Sequence, residues 1–139
     1  METLETLVRL AQSHVEDKQK VVAEYRGQIA DIQGKIQNME QKIAAEQAQA
    51  NDDPELMNML RNFIQHGRRQ VEMWQADVAK LEEELEPHLE ELSELFAEQK
   101  RMEIMLEREQ QKALEERKKK EQVDLDEVGI NRHYRKSDA

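Results

Sequence analysis

The side chains of this chain best suited to metal binding or proton transfer are its four histidines and 31 acidic residues. The histidines are His14, His66, His88 and His133. Of these, His88 has carboxylates at helical spacing on both sides, from Glu84 and Glu91. A metal site needs several ligands brought together in a defined geometry. One histidine between two glutamates is more typical of a salt-bridged helix surface.

Other catalytic arrangements are missing from the sequence. It contains no glycine-rich phosphate loop, no nucleophile elbow and no serine–histidine–aspartate set. It has no cysteine, so thiolate metal ligands and disulfides are not available. Its carboxylates are expected on solvated helix faces, where they lack the burial that tunes a catalytic acid. We therefore expect a protein that is not an enzyme, with no metal and no cofactor.

The elements that position these side chains are predicted by a heptad repeat of apolar residues. The repeat runs from Leu4 to Ala50 and again from Met57 to Leu106, with apolar positions three and four residues apart. Spacing sustained over this length predicts a coiled coil. Lys18, Glu46, His88 and Gln99 are polar residues within the repeat, and such residues fix the register of a coiled coil.

The break between the two repeats predicts a tight turn. Asp53 suits a helix N-cap and Pro54 suits the first helical turn. We therefore predict an all-α fold, with two long helices in an antiparallel coiled-coil hairpin and a charged C-terminal overhang. The hairpin covers 1–120. Its parts are helix 3–49, turn 50–53 and helix 54–120, kinked near Pro87, and 121–139 form a flexible C-terminal tail.

The repeat allows two registers for the hairpin, one heptad apart. In the first, Ile36 faces Gly67 and Ile29 faces Trp74. In the second, Ile43 faces Gly67 and Ile36 faces Trp74. Both place a bulky residue opposite the missing side chain, so the sequence leaves the choice open.

Composition limits the partners. The chain carries 37% charged residues, a net charge of −10 and only 4% aromatic residues. The acidic balance disfavours broad contact with a nucleic-acid backbone and favours partners with basic patches. An RNA-associated factor using the basic block 117–120 is the weaker alternative. The start does not resemble a signal peptide and no apolar run is long enough to span a membrane, so we expect a cytosolic protein.

Several segments of the chain resemble the flagellar export protein FliJ family. They are the opening segment 4–11, the mid-chain Phe63-Ile64-Gln65, the segments 98–103 and 107–108, and the closing Glu121-Gln122 and Asp126-Glu127. The chain length, the lack of cysteine and the two-helix layout agree with this family. The resemblance implies a stalk component of the flagellar type III export apparatus, at its cytoplasmic face. The injectisome has a related component.

The resemblance also implies partners. The stalk places its helical ends in the export ATPase hexamer, contacts the cytoplasmic domain of the export gate (FlhA-like), and handles export chaperones. We expect a monomer that binds no nucleic acid and reaches the membrane only through these partners. The residues implied for the ATPase end are Leu4, Leu7, Lys100, Glu103, Glu107 and Arg108.

The gate-binding surface implied by the resemblance lies on the early second helix. It begins at a phenylalanine, which matches Phe63, and continues with Ile64, Gly67 and Gln70. Trp74 stands where the family has a histidine. Phe63 lies beside the heptad repeat, so it either anchors a partner or widens the core. The alternative function is a generic dimeric coiled-coil scaffold, in which two chains pair in parallel.

Overall fold

The computed structural model describes residues 3–49 and 52–137, and in these residues the chain forms two helices and no strand. Helix α1 spans Leu4–Ala48 and helix α2 spans Pro54–Ser137. The two helices contact each other, which confirms the predicted all-α helical hairpin. Ala50 and Asn51, which belong to the predicted turn, lie outside the described residues.

Both helices begin at a capped N-terminus. The amide of Thr6 donates to the Thr3 hydroxyl at 3.2 Å at the start of α1. At the start of α2 the amide of Glu55 donates to the Asp53 carboxylate at 3.1 Å, and the Met57 amide donates to the Asp53 carbonyl at 2.9 Å. These bonds satisfy donors that the first turn of a helix leaves unpaired.

Helix α2 passes through Pro87 without interruption and ends at Ser137, beyond the expected end at Lys120. Side-chain bonds at helical spacing support the added length, since Gln122 Nε2 donates to Asp126 Oδ1 at 3.3 Å. Arg135 and Lys136 lie in the last turn, where positive charge favours the helix dipole. The kink at Pro87 and the flexibility of 121–139 stay predictions.

The described residues fall into two compact units, one formed by 14–95 and the other by 3–13 with 96–137. The core of the first unit contains Val22, Ile29 and Leu85. Partly buried side chains pack against it: Tyr25, Val78, Leu81, Leu89 and Leu92. Most of them occupy heptad positions, so the repeat forms the seam between the two arms.

The register is decided inside this unit. A Cβ on Gly67 would lie 3.0 Å from Ile43 Cδ1 and 3.1 Å from Met39 Sδ. Ile43 therefore faces Gly67, which selects the second of the two registers. The pairing of Lys18 with Glu91 fits the same antiparallel alignment.

In the second unit, Val8 and Ala11 of α1 are buried. Leu106 is partly buried, and every residue from 107 to 136 is exposed. The described helix beyond Leu106 thus has no covering arm, as the predicted overhang requires. Among the described residues, no helix is long and apolar enough to cross a membrane.

Candidate interaction surfaces

A polar crossing interrupts the apolar seam of the 14–95 unit. Lys18 Nζ lies 2.5 Å from Glu91 Oε2 and 3.2 Å from His88 Nδ1. The ring centroid of His88 lies 5.3 Å from that of Tyr25. The Lys18 side chain is only 19% exposed, whereas that of Glu91 is 54% exposed. The lysine therefore reaches out of the seam and is paired at its edge.

The charge of Lys18 acts on Glu91. The hydrogen bond that Lys18 donates, together with its positive charge, lowers the pKa of the Glu91 carboxyl below its ordinary value, and His88 adds a smaller effect in the same direction. A lysine ammonium thus contacts both His88 and Glu91, two members of the cluster that could have suggested a metal site. These contacts form an ion-paired crossing between α1 and α2.

The residues implied for gate binding are divided between the seam and its edge. Gly67 is buried against Ile43 and Met39. Phe63, Ile64, Gln70 and Trp74 are all half-buried. Phe63 therefore offers part of its ring to solvent, whereas Gly67 has no side chain and a covered backbone.

Two grooves open on the 14–95 unit near the turn, where the seam stops being covered. We call the first the phenylalanine groove. It has a volume of ≈ 420 Å³ and is lined by Glu46, Gln49, Leu56, Met57, Met59, Leu60 and Phe63. The second, the arginine groove, has a volume of ≈ 370 Å³ and is lined by Gln47, Met57, Leu60, Arg61, Ile64, Gln65 and Arg68. Met57 and Leu60 border both grooves.

Large apolar side chains are exposed at these grooves. Leu56 is 48% exposed, Met57 40% and Met59 67%. Met57 occupies a heptad position, so its exposure marks the point where the seam opens. Sequence reasoning missed Leu56 and Met59. Their signal was available, because both are apolar residues outside the heptad repeat next to a predicted turn.

The residues implied for the ATPase end all lie in the unit formed by 3–13 and 96–137. Leu4 and Leu7 are half-buried, and Lys100, Glu107 and Arg108 are exposed. The remaining member, Glu103, is half-buried and accepts a 2.9 Å hydrogen bond from Gln99 Nε2. The surface is thus mainly charged, with a few apolar side chains at the start of α1.

Comparison with known proteins identifies the family. The family model described as "Flagellar FliJ protein" matches residues 1–138. This covers nearly all of the 139-residue chain. The chain belongs to the FliJ family. The searches of curated proteins and of solved structures found no match.

Membership of the FliJ family establishes a component related to flagellar protein export. The family is non-catalytic and is associated with the export apparatus. The helical hairpin agrees with a coiled-coil member of this family.

Proposed function

We propose that this protein is a non-enzymatic stalk and escort component of the flagellar type III export apparatus. It works in the cytoplasm, at the face of the apparatus, as a monomer before it meets its partners. It binds the export ATPase ring and the cytoplasmic domain of the export gate, and it handles export chaperones. It needs no cofactor, because helix surfaces alone make these contacts.

The observation that carries this proposal is the match to the FliJ family over 1–138 in a chain whose α2 is fully exposed from 107 to 136. A solitary charged helix has most of its side chains available for polar contacts with a ring of subunits. Glu107 and Arg108 belong to this exposed stretch, and Lys100 is an exposed charged residue that precedes it. Such contacts favour recognition by charge over a fixed apolar interface.

The proposed ATPase contact is tested by mixing the chain with the export ATPase and measuring hexamer formation and ATP turnover. We expect the chain to raise both. The variant Lys100→Glu/Arg108→Glu reverses two exposed charges of the proposed surface and should lose most of the effect. The matched control is Lys35→Glu/Lys80→Glu, which reverses two exposed charges in the other unit and should behave like the wild type. No change in hexamer formation or turnover with the wild type would contradict the proposal.

The proposed gate contact is centred on Phe63. The covered position of Gly67 supports a role in helix packing for this residue, so the contact falls to the half-buried Phe63, Ile64 and Trp74 and to Gln70. Phe63→Ala should weaken binding to the gate domain and leave the helix content unchanged. Gln65→Ala, an exposed neighbour, is the control. If Phe63→Ala melts the protein instead, Phe63 belongs to the core.

A further inference from the structure

We propose that the arginine groove binds a short amphipathic helix of a partner protein, with acidic residues beside its apolar face. The groove shares Ile64 with the proposed gate surface, but its charged members are Arg61 and Arg68, which lie outside that surface. The inference does not depend on the proposed ATPase and gate contacts.

The shape of the groove suits a helix. It follows α2 from Met57 to Arg68, which is about 16 Å along the helix axis at about 1.5 Å per residue, or roughly three turns. Met57, Leu60 and Ile64 line it at spacings of three and four, so their side chains form one apolar row. Such a row receives the apolar ridge of a third helix laid along the hairpin.

The groove exposes apolar surface that a bound helix could cover. Met57 is 40% exposed although it occupies a heptad position. Leu60 and Ile64 are half-buried and keep part of their surface in solvent. Methionine adapts its shape to different neighbours, which is why it is common on surfaces that bind helices of varied sequence.

The charge of the groove favours a negatively charged partner. From Leu56 to Val71, α2 contains three arginines and no acidic residue, in a chain whose net charge is −10. Among the described residues, neither Arg61 nor Arg68 forms an ion pair. A guanidinium without a partner offers a carboxylate two parallel hydrogen bonds. The groove is therefore complementary to an acidic helix, and the local positive charge would speed its approach.

Arg68 is available for this contact even though carboxylates are near. It also borders a neighbouring depression lined by Glu40, Ile43, Val71 and Glu72. In the described part of the chain neither glutamate pairs with it. The guanidinium can therefore turn to a carboxylate of the bound helix without first breaking an ion pair.

The test uses the full chain and two synthetic peptides of about 14 residues, labelled with fluorescein. Both carry leucines at helical spacings of three and four. One has glutamates beside the leucine row, and its twin has lysines at the same positions. Binding is measured by fluorescence anisotropy at low and moderate salt. We expect the glutamate peptide to bind about tenfold more tightly than the lysine twin, and more weakly as salt is added.

The decisive variant is Arg61→Glu/Arg68→Glu, which should reverse the preference so that the lysine peptide binds better. The control is Arg9→Glu/Arg26→Glu, because it changes the net charge by the same amount at two exposed arginines outside the groove and outside the segment from Leu56 to Val71. The control should keep the wild-type preference. Circular dichroism and thermal melting of each variant establish that the hairpin is intact.

Four results would overturn the proposal. The first is equal binding of the two peptides to the wild type. The second is a loss of the preference for the glutamate peptide in the control as large as in Arg61→Glu/Arg68→Glu, which would indicate an effect of net charge alone. The third is displacement of the glutamate peptide by an oligouridine, which would make the groove a nucleic-acid surface. The fourth is loss of peptide binding in a folded Phe63→Ala variant, because Phe63 lines only the phenylalanine groove. If Phe63→Ala keeps peptide binding but loses binding to the gate domain, the arginine groove is a site distinct from the proposed gate contact.

Discussion

Gly67 lies directly against Ile43 in the seam, at a distance that leaves little room for a side chain. A Cβ at this position would lie 3.0 Å from Ile43 Cδ1 and 3.4 Å from Ile43 Cγ1. Gly67 is a heptad position with φ in the ordinary helical range, so backbone conformation does not require glycine here. The requirement is spatial, because Ile43 and Met39 occupy the volume that a side chain would need.

This contact predicts different outcomes at two glycines of the hairpin. At Gly27 an added Cβ would meet no neighbouring atom within 4 Å, so Gly27→Ala should stabilise the fold by about 1 kcal/mol through helix propensity alone. Gly67→Ala gains the same helix propensity, but its Cβ must displace the side-chain ends of Ile43 and Met39. Its net stabilisation should therefore be smaller than that of Gly27→Ala. Gly67→Leu should destabilise by about 1–3 kcal/mol, because it overpacks the seam. Urea unfolding of the three variants checks this order.

A different result would be informative about the seam. If Gly67→Leu were as stable as the wild type, the two arms would have room to separate at this point. That outcome would contradict the tight packing of Gly67 against Ile43 and Met39, but it would not choose between the registers, because the other register places the identical residue Ile36 opposite Gly67.

The seam also predicts how a buried charge is tolerated. Ile29 belongs to the core of the 14–95 unit and is 8% exposed. Ile29→Asp should cost about 3 kcal/mol or more, because it places an unpaired charge among apolar side chains. Ile130, in the exposed part of α2, is 56% exposed, so Ile130→Asp should change stability by less than about 0.5 kcal/mol. Thermal melting followed by circular dichroism measures both.

The heptad repeat predicts the two helices and the seam of this hairpin, but it leaves the register open. The heptad repeat was sufficient to predict two helices and the residues of the seam, because apolar spacing of three and four specifies one buried face. Capping chemistry at Asp53 and Pro54 predicted the start of α2. The register needed coordinates, since Ile36 and Ile43 are identical residues one heptad apart and either could face Gly67.

The far end of α2 and the grooves were harder to predict. Beyond Lys120 the sequence has few apolar residues and includes Gly129, so we expected the helix to end. The helix continues to Ser137 because its backbone hydrogen bonds are local and require no contact with α1. Leu56 and Met59 lie outside the heptad repeat, so periodicity gave them no role. Their exposure depends on where the arms stop covering each other, and that is a property of the packed hairpin.

Chain association gives a further prediction. Because α1 and α2 contact each other within one chain, the seam does not require a second copy. Light scattering should return one chain mass of 16.4 kDa over the range of concentrations used for the other experiments. Twice that mass at every concentration would favour the parallel dimeric scaffold, in which each helix pairs with its copy.

Acid should weaken the contact between Lys18 and Glu91. The pKa of Glu91 is lowered by Lys18, so the contact stabilises the folded state above the ordinary value of 4.5 and loses its effect as pH falls through the lower, folded value. The stability difference between the wild type and Glu91→Gln should therefore shrink as pH falls from about 6 to below 4. The difference is the useful measurement, because protonation of the other acidic residues also changes the overall repulsion. A constant difference across this range would contradict an ion-pair role.

The last prediction concerns what Lys18 contributes to the hairpin. Its side chain is 19% exposed, so holding its charge in the seam requires partial desolvation. Replacing a charge of this kind with an apolar side chain of similar length is often neutral or stabilising. Lys18→Met should therefore leave the melting temperature unchanged or higher. What it should lose is the polar crossing with Glu91 and His88. In the other register Glu84 would take the place of Glu91 but Leu81 that of His88, so the contact with His88 favours the observed register.

Cysteine cross-linking can measure the register, because the chain has no cysteine of its own. In the observed register Ile32 is level with Val78, and in the other register it is level with Val71. Ile32→Cys/Val78→Cys should therefore form a disulfide rapidly, and Ile32→Cys/Val71→Cys should not. When Lys18→Met is added, the second pair should begin to cross-link while the helix content stays the same. If Lys18→Met instead lowers the melting temperature and the second pair stays reduced, the lysine acts through stability and not through the choice of register.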